Sequence, residues 1–235
     1  MSGGLDSTVL LADEAARDDV QPIYVSTGLA WEDAERSVVV KLLDTLASHH
    51  RIAQLVVLAI DMRDVYDATH WAIEGRPPDY HTADEEVYLP GRNIVLLGKA
   101  GVYCAAAHIP RVVIGTLAHN PFPDATPEFR RAMSRALSLG LDYALDVDAP
   151  YADLSKADVI RRGASLGVRL ELTLSCMNPV SAAPSSQHPA PGTQHPAPFT
   201  RHCGLCSKCR ERHDAFLEAG IEDLTEYVDS RYVRA

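Results

Sequence analysis

The chain has 235 residues, enough to bury one large α/β core or one such core with a small appendage. Hydrophobic residues make up 46% and charged residues 23%, and no run of about 18 apolar residues is present, so no membrane-spanning helix is expected. Lys and Arg number 22 against 32 Asp and Glu, a formal charge of −10 that argues against a broad nucleic-acid surface and favours small substrates.

In chain order, the first signal is Ser2-Gly3-Gly4-Leu5-Asp6-Ser7-Thr8. Two glycines ahead of a helix let backbone N–H groups converge on an anion, and the helix N-terminus adds a favourable dipole, so the stretch reads as a phosphate cradle. Its spacing is not that of the G-x-x-x-x-G-K-[ST] loop, which weakens a kinase or GTPase reading. Short apolar runs at Val20–Ser26, Leu55–Ile60 and Arg111–Ile114, the last ending at Gly115, predict strands, and Leu141–Val147 predicts a further one. Helical patterns cover Glu32–Ser48, Asn93–Ala107, Pro127–Leu139 and Ser155–Leu166, with Ser155 as N-cap and Gly167 as stop. This alternation predicts an α/β fold with a doubly wound parallel sheet covered on both faces. A ligand is then expected beyond the carboxyl ends of the strands, against Ser2–Ser7, Ser26–Trp31 and Thr116–Thr126.

Ser181–Thr200 breaks the pattern, being rich in Pro, Ala, Ser and Gln and repeating Gln-His-Pro-Ala-Pro at Gln187–Pro191 and Gln194–Pro198. Such composition predicts a mobile, polyproline-like loop, with His188 and His195 exposed rather than metal-bound. After it come Cys203, Cys206 and Cys209 at three-residue spacing, and Cys176 stands just upstream. Three thiols on a knuckle and a fourth nearby predict a closed tetrahedral S4 zinc site, structural because no position is left for water. A long intervening loop costs little, since closure entropy grows only logarithmically. Clustered thiols on a chain that opens without a basic, apolar leader lead us to expect a reducing cytoplasm. Cys104, in an Ala-rich helix, is expected as a small buried residue, and His49, His50, His70, His81 and His108 show no metal spacing.

The Ser2–Thr8 stretch resembles the pyrophosphatase (PP) loop of the N-type ATP pyrophosphatases. Further along, Leu89-Pro90-Gly91-Arg92-Asn93, the turn Phe122-Pro123-Asp124-Ala125-Thr126-Pro127-Glu128-Phe129, Ser155-Lys156-Ala157-Asp158-Val159-Ile160, and Ser175-Cys176 with the later Cys cluster follow the order of the 7-cyano-7-deazaguanine synthase family. The similarity covers nearly the whole chain. It implies an ATP-dependent C–N ligase that converts 7-carboxy-7-deazaguanine and ammonia to the nitrile preQ0 for queuosine-type biosynthesis. It also implies an adenine nucleotide alpha hydrolase-like domain over residues 1–175 and a zinc-binding C-terminal region over 176–235.

A carboxylate oxygen does not leave unaided, so ATP must activate it, and positioning and charge neutralisation supply most of the catalysis. The resemblance implies that Ser2, Gly3, Gly4, Leu5, Asp6, Ser7 and Thr8 bind the nucleotide, with Asp6 on Mg2+ or orienting the loop. Asp6, Ser7, Arg92 and Lys156 are the expected catalytic residues, Arg92 offering a planar fork and Lys156 a compact cation. Arg92, Asn93, Phe122 and Asp124 are expected on the acceptor, with Phe122 stacking on a purine. The zinc ligands are Cys176, Cys203, Cys206 and Cys209, and a homodimer is left open.

The turn Phe122-Pro123-Asp124-Ala125 differs from the family's usual Tyr-Pro-Asp-Cys type, and Ser26–Glu32 is unlike the family there, so a related carboxylate stays open as acceptor. A tRNA-thiolating PP-loop enzyme and a non-catalytic nucleotide- and zinc-binding regulator are the alternatives. A loop of this type follows a buried strand, yet only Met1 precedes Ser2. The expectation is that about five to eight mostly apolar residues are encoded immediately upstream.

Overall fold

The computed structural model describes residues 1–46, 51–182 and 199–233. Gly4, in extended backbone, opens helix α1 (Leu5–Ala15), which buries Leu5, Val9, Leu10, Leu11 and Ala12. Strand β1 (Ile23–Ser26) leads to α2 (Glu32–Thr45), which starts on Glu32, Asp33 and Glu35, acidic residues favoured by the positive end of a helix dipole. Strand β2 (Val56–Ala59) pairs with β1 in parallel, Ile23 opposite Val56. Helix α3 (Trp71–Glu74) is a single turn capped by His70, whose Nδ1 accepts from the Ala72 N–H at 3.2 Å.

Helix α4 (Arg92–Ala106) packs on β1 and on β3 (Arg111–Val113). A 3-10 turn at Pro123–Ala125 precedes α5 (Pro127–Leu141), with Pro127 in its first turn and Thr126 accepting from the Phe129 N–H at 3.1 Å as N-cap. Strand β4 (Asp146–Asp148) pairs with β3 in parallel, Arg111 opposite Asp146. The strand expected over Leu141–Val147 is thus corrected: Leu141 still belongs to α5, Asp142 ends that helix in the left-handed region, and pairing begins at Asp146. The sequence alternation at Leu141, Tyr143 and Leu145 reads as a strand because the helix stop is an Asp, a residue that adopts positive φ less often than Gly.

Helix α6 (Lys156–Ser165) shows the expected start. Ser155 and Asp158 cap each other's backbone, an arrangement whose loss costs about 1 kcal/mol. Strands β5 (Val180–Ala182) and β6 (Phe199–Arg201) pair antiparallel, so the two ends of the stretch expected as a mobile loop are strand. Its middle, with His188 and His195, lies outside the described residues, as do His49 and His50. Helix α7 (Ser207–Ala219) closes the chain's helical part and ends at Gly220 in the left-handed region.

The main core joins α1, α6 and α7 through Leu5, Val9, Ile160, Leu170, Ala215 and Phe216. A second cluster gathers Trp31, Met62, Tyr66, Leu89 and Met177, and a third packs Val38, Leu42 and Leu174 against the four C-terminal-region cysteines. The fold is mixed α/β with parallel strands, as expected, but β1–β2 and β3–β4 form separate pairs rather than one sheet among the described residues. Between the pairs runs a cavity of about 650 Å3 bounded by α1 on one side and α4 on the other. No helix among the described residues is long and apolar enough to cross a membrane.

Candidate functional site

The loop ahead of α1 turns at Gly3, whose φ of +73° lies in the left-handed region and whose side is closed by Val38 and Val39. A Cβ there would stand 3.2 Å from both valines, a tight fit added to a backbone conformation that favours glycine. Ser2 and Ser7 face each other at 3.2 Å between hydroxyls, the Ser7 Oγ accepts from the Ser2 N–H, and the Thr8 hydroxyl donates to Gly4 O at 2.8 Å. The N–H groups of Leu5, Asp6 and Ser7 open the helix without intrahelical acceptors, as any first turn does, and their dipole end favours an anion.

Asp6 divides its carboxylate. One oxygen, Oδ2, accepts from the Lys156 ammonium at 3.2 Å, while Oδ1 is buried with no hydrogen-bond partner. Lys156, the first residue of α6, also donates to Glu211 on α7 at 2.7 Å, and Lys208 donates to the other Glu211 oxygen at 2.6 Å. Burial alone would lower the Lys156 ammonium, but the Asp6 and Glu211 carboxylates outweigh it and raise it above its usual value. Burial would likewise raise Glu211, yet the two lysines hold it at about 2. A charged chain thus runs from α7 through α6 into the loop. Glu211 has no sequence signal pointing to Asp6, because the two are joined only when α6 and α7 pack side by side.

Across the cavity from the loop, Gly91 in the left-handed region turns the chain into α4, and Arg92 and Asn93 form its first turn. Asp124 caps that turn: its Oδ2 accepts from the Asn93 N–H at 3.0 Å, and the Asn93 side-chain amide donates to Asp124 O at 3.0 Å. Arg92 Nε is buried without a partner. Phe122 stacks on Tyr88 with ring centroids 5.1 Å apart and planes 25° apart, giving an aromatic wall that the sequence reading missed by half.

The first turn of α2 contributes two further acids that were not expected. Glu32 accepts from Ser26 Oγ at 2.5 Å and from Thr27 N–H at 2.6 Å; burial pulls it upward, but these bonds keep it below the usual carboxylate range. Glu35 accepts from the Tyr24 hydroxyl at 3.1 Å and from the Trp31 indole at 3.2 Å, and burial pushes its carboxyl up to about 7 in spite of the nearby Arg92 cation.

The second constellation lies at the start of α7. Cys176, Cys203, Cys206 and Cys209 are all buried, and their four sulfurs lie within 4.8 Å of one another, at separations of 4.0, 3.8 and 3.5 Å for the closest pairs. A tetrahedral shell with metal–sulfur bonds of about 2.3 Å has edges of about 3.8 Å, so the group can hold a metal ion such as zinc. Backbone N–H groups of Asn178 and Cys203 donate to Cys176 Sγ, and that of Leu205 to Cys203 Sγ. Burial, followed by the neighbouring thiols, pushes the Cys176 thiol well above its ordinary value, so four thiolates there need a cation to balance them. Gly204 makes the knuckle possible: a Cβ at its φ of +79° would fall 1.8 Å from Asp229 O. Fully buried Arg212 then fastens α7, donating to Thr225, Thr173 and Leu170 O at 2.7–2.8 Å.

Comparison with known proteins decides what these two constellations belong to. Residues 1–220 match the family model described as Queuosine biosynthesis protein QueC. The chain belongs to the QueC family. Relatives named 7-cyano-7-deazaguanine synthase include that of Caldicellulosiruptor bescii, 30% identical with 97% of this chain and 95% of the relative covered. Those of Methanoculleus marisnigri and Methanopyrus kandleri are 31% and 32% identical, each over 97% of this chain and 96% of the relative.

Within this QueC chain, Ser2, Gly4, Asp6, Ser7, Arg92, Asn93, Phe122 and Asp124 line one cavity, whereas Gly3, Leu5 and Thr8 of the expected nucleotide-binding stretch are not on its wall. Lys156 is not on its wall and reaches it only through Asp6. Of the three expected ligand loops, Ser2–Ser7 and Thr116–Thr126 contribute lining residues, whereas Ser26–Trp31 is replaced by Glu32 and Glu35 of α2. Cys104 is buried in α4, apart from the sulfur cluster.

Proposed function

We propose that this chain is an ATP-dependent C–N ligase that converts 7-carboxy-7-deazaguanine and ammonia to 7-cyano-7-deazaguanine. The observation that carries the reading is that the family match runs through a loop whose free helix N–H groups and serines face Arg92 across one cavity. A carboxylate oxygen of the acceptor attacks the α-phosphorus of ATP and pyrophosphate departs. Ammonia adds to the acyl carbon, AMP leaves with the first oxygen, and loss of a proton gives the amide. The amide oxygen attacks a second ATP, pyrophosphate departs again, and loss of AMP and both nitrogen-bound protons leaves the nitrile.

The chain's own groups suit the charges that develop. The α1 N–H groups with Ser2 and Ser7 hold pyrophosphate oxygens, and Arg92, with an unused buried Nε, meets phosphate or the acceptor carboxylate. Mg2+ bound with the nucleotide would neutralise phosphate charge, and the unpartnered Asp6 Oδ1 is the atom suited to hold it. Phe122 and Tyr88 give a stacking wall for the deazapurine, and Asp124 Oδ1 stays open to its exocyclic amine. In this reading residues 1–175 are the PP-loop domain with a doubly wound sheet, residues 176–235 are a region held by structural zinc, and the compartment is the cytoplasm.

Sulfur transfer to tRNA gains no support. Four cysteines are committed to one buried cluster, and burial pushes the Cys104 thiol up to about 11, so no thiolate is offered at the cavity. The reading is tested by nucleotide analysis during turnover. It requires two AMP and two pyrophosphate per nitrile formed, strictly dependent on the acceptor. Release of ADP and phosphate, or AMP release that ignores the acceptor, would overturn it.

A further inference from the structure

Among the described residues, three buried side-chain atoms without a hydrogen-bond partner belong to residues that line the cavity: Asp6 Oδ1, Arg92 Nε and Thr116 Oγ1. The first two are charged groups with a place in the proposed reaction. Thr116 has none. Its residue is only 6% exposed, so the hydroxyl has left bulk water without gaining a bond in return. A hydroxyl buried in that way is a net cost to folding, which a valine of the same shape would not carry.

The backbone sets where that hydroxyl stands. Thr116 comes just after β3, beyond the carboxyl end of the strand, where ligands of parallel α/β folds collect. The Ile114 N–H donates to Asp148 O at 2.9 Å and the Ala118 N–H donates to Leu154 O at 3.0 Å, so the stretch is held at both ends. Between them Gly115 lies against the loop ahead of α1: a Cβ there would stand 3.6 Å from the Asp6 carbonyl carbon and 3.7 Å from the Ser7 nitrogen. Leu117 packs on the main core, whereas Thr116 lines the cavity. The hydroxyl is thereby carried by the residue next to the one that touches Asp6 and Ser7, beside the first-turn N–H groups of α1 that favour an anion.

We propose that the Thr116 hydroxyl is a further phosphate contact, donating to a pyrophosphate oxygen held between the loop ahead of α1 and the end of β3. The inference rests on the nucleotide reading given above. A phosphate oxygen only accepts, which suits a hydroxyl whose proton is uncommitted, and a bond to a charged oxygen is stronger than one between neutral groups. The β-branched side chain also restricts χ1, so the hydroxyl keeps its direction before the ligand arrives. Affinity gained in this way is set against the stability of the unliganded protein, and that opposition separates a ligand contact from a structural one.

Thermal unfolding without ligand and calorimetric titrations compare Thr116→Val and Thr116→Ser with the parent, using pyrophosphate with Mg2+ and, separately, 7-carboxy-7-deazaguanine. Thr116→Val should weaken pyrophosphate binding about tenfold, leave the acceptor titration unchanged, and hold Tm or raise it by a few degrees. Thr116→Ser should bind pyrophosphate within about threefold of the parent. A Tm lowered in Thr116→Val and recovered in Thr116→Ser would make the hydroxyl structural and overturn the proposal. So would a loss of affinity confined to the acceptor. A parent that binds no pyrophosphate would overturn the nucleotide reading together with this inference, whereas equal pyrophosphate binding by the parent and Thr116→Val would overturn the inference alone.

Discussion

Asp6 stands where two demands meet: one carboxylate oxygen is tied to Lys156 and the other is buried without a hydrogen-bond partner. Removing the side chain therefore takes away the unpartnered oxygen and strands Lys156 beside Glu211. Asp6→Ala should lower ATP-dependent turnover by at least about tenfold, the effect of one charge-assisted contact in a positioned phosphate site. Glu211→Gln leaves Asp6 in place and reaches it only by way of Lys156, while also loosening Lys208, so steady-state kinetics should show a smaller fall in kcat with the KM for acceptor unchanged. An equal loss in both variants would make the charged chain a scaffold.

Glu35 makes a separate, pH-dependent prediction. Its native carboxyl is raised to about 7 by burial, whereas an unfolded Glu titrates near 4.5, so the native state holds a proton the unfolded chain has lost in between. Stability should fall as pH rises across that window and level off above about 7, by an amount on the order of 3 kcal/mol. The Met1 amine, lowered to about 6, gives the opposite slope between about 6 and 8, and Glu35→Gln strengthens that slope by removing the carboxylate that pulls the amine upward. The difference in Tm between Glu35→Gln and the parent should therefore grow from pH 5 to pH 8; a constant difference would contradict the assignment. Glu35 was not legible in the sequence because nothing in Glu-Asp-Ala-Glu separates a surface helix start from an acid aimed at Tyr24 and Trp31. That Arg92, Asn93, Phe122 and Asp124 share one cavity wall was legible, since each sits in a short motif whose order along the chain is itself informative.

Among the elements, α7 depends most on chemistry outside hydrophobic packing. Its first turn supplies Cys209 beside Cys206, and its body supplies Glu211 and Arg212. Cys206→Ala should remove about one zinc per chain and lower Tm, because three buried thiols do not close a tetrahedral shell. Zinc retained in full by that variant, measured by metal analysis, would remove the site. Deleting residues 183–198 and joining β5 to β6 by a two-residue turn should leave zinc content unchanged, since the pairing of Ala182 with Phe199 already brings Cys203 to Cys176. Ser155 was readable as the cap of α6, and the structure adds Thr126 as the cap that opens α5 and Gly220 as the one that ends α7. Strands β5 and β6 were not readable, because three-residue strands bordering a Pro- and Ala-rich stretch carry no period, and their pairing is decided by the cysteines that follow.

For the whole molecule, alternation of apolar runs and helices was enough to read a parallel α/β fold, and order of motifs was enough to read the family. What alternation could not convey was that the four parallel strands form two pairs with a cavity between them, since each strand and helix obeys the same local rules whether or not its neighbour is present. The central claim is nitrile formation from a carboxylate, and mass spectrometry of the deazapurine after incubation with ATP and heavy-nitrogen ammonium tests it most directly. The account predicts 7-cyano-7-deazaguanine carrying one heavy nitrogen in its nitrile. Unaltered 7-carboxy-7-deazaguanine from protein that binds ATP and zinc would contradict it.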